Sequence, residues 1–172
     1  MKEKIGRAQV LDAAAVLRKY KEGKAVLDKK IVSNEQWWKM RHWGEIGYEP
    51  DETRPQPASA WLFNSIANKH ADAMDNIPEP SVLPREQGDE ECARQLSLLL
   101  PAVLERCGYE KLYSDGWWYK LKNGTACQAV VWDPVLEDGR GDIAIRNIDI
   151  LNLFWQPGIK DLEESANLFY VS

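Results

Sequence analysis

Between Arg7 and Glu22 the apolar positions Val10, Ala13, Ala14 and Leu17 recur at three- and four-residue intervals, and Lys21 continues the row. Leu11 and Tyr20 widen it. That is the spacing of one face of an α-helix. Gly23 follows as a natural helix stop. The stretch "LDKKIVSNEQWWKMRHW" sets Leu27, Ile31 and Trp38 among charged residues and predicts a second helix, so residues 1–45 read as a helical hairpin. Residues 46–58 carry three prolines and several acids, the composition of a linker.

Residues 59–172 then read as one α+β domain. Trp61, Leu62, Ile66, Ala73 and Met74 mark a third helix, which "NIPEP" ends. The run "PSVLPRE" is extended, because a residue preceding proline is pushed out of the helical region. Asp89 is the expected cap of a fourth helix, "DEECARQLSLLLPAVLERCG", whose acidic start and basic end suit the helix dipole. Pro101 predicts a kink or break inside it. A fifth helix, "YEKLYSDGWWYKLKN", ends at Gly124. From there the period changes: "TACQAVVWD" and "DIAIRNIDI" read as a β-hairpin, and "NLFWQPG" and "NLFYVS" as two further short strands. Helices followed by a small antiparallel sheet give an α+β class.

Composition narrows the picture. Apolar residues at 44% allow a core, and a net charge of −5 argues against nonspecific nucleic-acid binding. Cys92, Cys107 and Cys127 are an odd set without CxxC spacing, which suits reduced thiols inside a cell. Eight tryptophans are the conspicuous feature. Tyr113, Trp117 and Leu121 share a helical stripe with Trp118 beside it, and Gly124 can reverse the chain so that this helix folds back over the strand bearing Trp132. Core packing is therefore expected for Trp61, Tyr113, Trp117, Trp118, Trp132 and Trp155, with a ligand platform as the competing reading.

The search for chemistry is unrewarding. His42 and His70 have no zinc-type spacing, and Asp133, Asp142 and Asp149 flank strands where acids usually serve turns. There is no GxSxG elbow, and "DGRGD" is not a phosphate loop. "NGT" at Asn123 fits a glycosylation sequon but suffices as a helix stop. No catalytic, metal-binding or cofactor-binding residue is expected. The stretch "NEQWWKMRHW" competes with packing for a functional role: Trp37, Trp38, Arg41, His42 and Trp43 interleave aromatic and basic groups. They suit a protein interface, with nucleic acid behind.

Read as an ordered set, "LKNGTACQAVVWDP", "GDIAIRNIDILNLFWQPG" and "DLEESANLFYV", with the helical stretches before them, resemble the N-terminal, wing-region part of phage and prophage portal proteins. The resemblance covers nearly the whole chain. It implies a non-enzymatic structural protein of the capsid vertex, in a ring that is usually twelve-fold. Such a ring passes DNA during packaging and ejection and contacts other portal subunits, terminase, and head or tail proteins. It also implies a place in the virion or host cytoplasm, no membrane contact, and no strong direct DNA binding by this region. Members of that family are several times longer, so the expectation is a fragment lacking stem and clip. The alternative is a small phage- or prophage-encoded binding protein that inhibits a host nucleic-acid or defence enzyme, in the manner of an anti-CRISPR.

Overall fold

The computed structural model describes residues 5–46 and 55–171; most of the expected linker, residues 47–54, lies outside the described residues. The elements are α1 (Arg7–Trp38), α2 (Trp61–Met74), α3 (Glu90–Arg106), α4 (Tyr109–Asn123), β1 (Cys127–Asp133), β2 (Asp142–Ile148), β3 (Leu153–Phe154) and β4 (Phe169–Tyr170). A short turn, Leu136–Gly139, joins β1 to β2, and its Glu137 and Asp138 have positive φ. The fold is α+β. Its strands form two separate antiparallel pairs, β1–β2 and β3–β4, where one small sheet was expected.

Two compact units make up the chain. One holds the described residues up to Ser59 together with those from Asp149 onward, and the other is Ala60–Ile148. The expected 59–172 domain is thus divided at the end of β2. The reason lies in what α1 must cover.

The N-terminal hairpin is also corrected, because α1 is one continuous helix of 32 residues that runs through Gly23. Tyr20, Lys24 and Ile31 are its buried positions, one face of the helix. Ile150, Leu153 and Phe154 are the buried residues of the C-terminal segment in the same unit. Tyr20 meets Phe169 edge to face, with ring centroids 5.8 Å apart. Lys24 is only 6% exposed. Its ammonium sits 2.8 Å from Asp28, donates to the Ile150 carbonyl, and lies 4.7 Å from the Phe154 ring centroid. Gly23 is held in the helix by its neighbour: a β-carbon there would come within 2.5 Å of Pro157 Cγ. The glycine costs helix propensity of about 1 kcal/mol, which packing on both adjoining turns offsets.

In the second unit α4 packs against α2, α3 and β2. Gly108, with φ of 65°, breaks α3 from α4, and Gly124, with φ of 79°, ends α4 by donating to the Lys120 carbonyl. The reversal into β1 expected at Gly124 is present. An amide clip ties helix to sheet: Asn147 Nδ2 donates to the Leu112 carbonyl, and Gln128 donates to Asn147. Helix α3 continues through Pro101 to Arg106 without a break. Ser97 holds the preceding extended segment, since its hydroxyl accepts from the Val82 N–H and donates to the Val82 carbonyl. Asp89 stands at the cap position of α3 but makes no side-chain capping bond. In the first turn the Arg94 guanidinium, assisted by the Gln95 amide, holds the Glu91 carboxyl below the usual carboxylate range. The small support this gives α3 is present above the ordinary glutamate pKa and fades as pH falls through the lowered one.

No helix among the described residues is long and apolar enough to cross a membrane. Substituting Lys24→Met should leave the Ile150 carbonyl with only the Leu153 N–H and take from Asp28 its ion-pair partner, lowering stability by about 2 kcal/mol, measured by denaturant unfolding. Gly23→Ala would ordinarily stabilise a helix. Here the clash with Pro157 should reverse the sign and cost about 1 kcal/mol or more, read as a lower thermal midpoint.

Candidate functional site

The C-terminal end of α1 is shaped by backbone bonds. Met40 N–H donates to the Trp37 carbonyl (3.1 Å) and Arg41 N–H to the Gln36 carbonyl (2.8 Å), the paired pattern of a Schellman motif. Met40 takes the positive φ, 59°, that glycine usually supplies. The bend carries the next residues back along the helix. His42 stacks on Trp37 with centroids 4.7 Å apart and planes 14° apart, and lies 5.3 Å from the Trp43 ring. Trp43 Nε1–H donates to the Pro57 carbonyl at 3.1 Å. Of the five residues expected to form an interface, the structure therefore brings Trp37, His42 and Trp43 into one stack. Trp38 lies a helical step away and is half-buried, and Arg41 is exposed on the bend. Trp37 keeps 43% of its surface exposed, so the stack presents an aromatic face with Arg41 at its edge. That face can make contacts.

The expected core tryptophans separate into two groups. Tyr113, Trp117, Trp118 and Trp155 are half-buried. Trp118 stacks on His70 at 4.0 Å, joining α4 to α2, and Trp117 meets Tyr113 edge to face at 6.1 Å. Trp155 lies within 5.6 Å of the Lys24 ammonium. Trp61 and Trp132 are corrections, being 78% and 63% exposed. Trp61 is the first residue of α2, ahead of the turn whose Ile66 is buried. Trp132 shares a face of β1 with Gln128 and Val130, and α4 reaches that face only at the Gln128 end.

His70 and Ser114 come within reach of each other between α2 and α4. His70 Nε2 is 3.2 Å from the Ser114 carbonyl and 3.1 Å from its hydroxyl. A bond to the carbonyl needs the proton on Nε2, whereas the hydroxyl can either donate to that nitrogen or accept from it. The pair is a helix–helix clasp under the Trp118 ring. Sequence reading missed it because the two residues are 44 positions apart on separate helices.

A groove of about 310 Å³ lies beside β2, lined by Arg106, Cys107, Leu136, Glu137, Asp142 and Ile143 among others. Three of its side chains bond to one another or to the adjoining backbone. Arg106 pairs with Asp142 at 2.7 Å, the Cys107 thiol donates to the Ile143 carbonyl, and Ile143 N–H donates to Asp142 Oδ1 at 2.8 Å. The outer edge of β2 is thereby closed at Ile143. Among the described residues no group of three or more His, Cys, Asp or Glu side chains could hold a metal ion. Asp133 is engaged by Arg146, Asp142 by Arg106, and Asp149 caps the turn that follows β2 by accepting from Leu151 N–H.

Replacing His70 with alanine should remove both the ring stack and the clasp and cost about 2–3 kcal/mol, while His70→Gln, which can still donate, should lose about half as much. Unfolding curves for the two variants check this. No protein-family model, no curated protein and no solved structure matches the chain.

Proposed function

We propose that this protein is a structural, non-enzymatic subunit that works by contact, corresponding to the wing region of a phage portal. The observation that carries the reading is how little the chain buries on its own. No described side chain is fully buried, and large apolar residues stand exposed on α1 (Val10, Leu11), α3 (Leu98, Leu99) and β1 (Val130, Trp132). A catalytic domain needs a closed, rigid site, whereas a subunit of an assembly leaves such surface for its neighbours.

The order of elements supports the portal assignment over a generic assembly subunit. Helices lead through Gly124 into a strand ending in Asp133-Pro134, and a Pro157-Gly158 step follows β3. On this reading the partners are other portal subunits and the terminase or head–tail proteins, with DNA passing through the ring and the protein in the virion or host cytoplasm. No cofactor takes part.

Sedimentation of the full chain with the terminase, head and tail-adaptor proteins encoded by the same genome tests this. Co-migration with at least one of them is the expected result. Capture of a host nuclease or defence enzyme, with none of the structural proteins retained, would replace the portal reading with that of an inhibitor.

A further inference from the structure

The two edges of the β1–β2 pair are treated differently, and from that difference we infer that β1 is a self-pairing edge joining two copies of this chain in antiparallel register. The register sets Trp132 opposite Ile143 and Val130 opposite Ile145. Ile143 uses its N–H on Asp142 Oδ1 and its carbonyl on the Cys107 thiol, so it does not bond across to Trp132. Antiparallel ladders alternate bonded and non-bonded pairs. The N–H and C=O groups of Gln128, Val130 and Trp132 therefore point away from β2, along the outer edge of β1. Among the described residues no third strand meets that edge.

Side chains do nothing to protect it. Exposed edges are normally blunted by lysine, proline, bulges or a covering element. Residues 127–132 hold no charge and no proline, and Val130 and Trp132 are 70% and 63% exposed. The Trp132 indole rests against Gly141, on the β2 side, which leaves the outer edge clear. Asp133, the nearest acid, is held by Arg146.

A second copy fits this edge for three reasons. A two-stranded ribbon is marginal alone, and pairing β1 with β1 makes a four-stranded sheet. The chain's net charge of −5 is absent from residues 127–132, so two copies meet without opposed charges. With Val131 on the two-fold axis, Trp132 of each copy falls opposite Val130 of the other, an aromatic–β-branched pair on the exposed face. Such a two-fold contact is self-complementary and closes at two. The inference concerns the chain by itself and stands or falls separately from the portal reading.

Analytical ultracentrifugation of the full chain across a concentration series, with amide hydrogen exchange at each end of the series, tests it. The expected result is a monomer–dimer equilibrium in which the amides of Val130 and Trp132 gain protection in the dimer. Val130→Pro removes only an outward N–H and should abolish the dimer without loss of helicity. Trp132→Lys, which removes two anchors per dimer, should weaken it roughly 100-fold. A chain that stays monomeric, one that grows beyond two, or a dimer whose Val130 and Trp132 amides exchange as freely as the monomer's would overturn the inference. Exchange on the unaltered chain gives that answer even if a variant fails to fold.

Discussion

The ammonium of Lys24 is the point on which the first unit turns. A lysine is rarely buried without a partner, because taking a charge out of water is costly. This one is met on several sides: by Asp28 one helical turn on, by the carbonyl of Ile150, and by the faces of Phe154 and Trp155. These contacts fix where residues 150–155 run along α1. They also explain why the helix does not stop at Gly23. Chain from the far end of the sequence lies across that position, and Pro157 occupies the space a side chain would need.

The second unit is organised by polar clasps more than by a deep core. Its buried apolar residues are few, Ile66 and Ala93 among them. In their place stand directional contacts: His70 on Ser114, Asn147 on the Leu112 carbonyl, Ser97 on Val82, Arg106 on Asp142. Each fixes a pair of elements at one position and orientation. Such contacts specify geometry well and contribute modest stability. The surface left uncovered on α1, α3 and β1 is consistent with a chain that completes its packing in company.

Much of this architecture was legible in the sequence, wherever local chemistry decided the outcome. The limits of α2, α3 and α4, the reversal at Gly124 and the β1–β2 hairpin follow from periodicity and turn residues. What escaped depended on distant partners. Gly23 reads as a stop because propensity is local, while the packing that overrules it comes from Pro157. Trp61 and Trp132 read as core because large aromatics usually are. Nothing in their neighbourhood reveals that α4 covers only one end of the hairpin face. The stack at Trp37 escaped for a related reason, since Met40 is a residue from which no left-handed turn is expected.

That turn has a thermodynamic corollary. A non-glycine residue in the left-handed region carries a conformational penalty, and here the two backbone bonds and the stacking of His42 on Trp37 offset it. Bend and stack are therefore linked quantities, each holding the other in place. A molecule that competes for the indole of Trp37 works against the bend, and one that favours the bend presents the indole ready-made. By reciprocity the two effects are equal in size, so the end of α1 behaves as a coupled element whose curvature and stickiness change together.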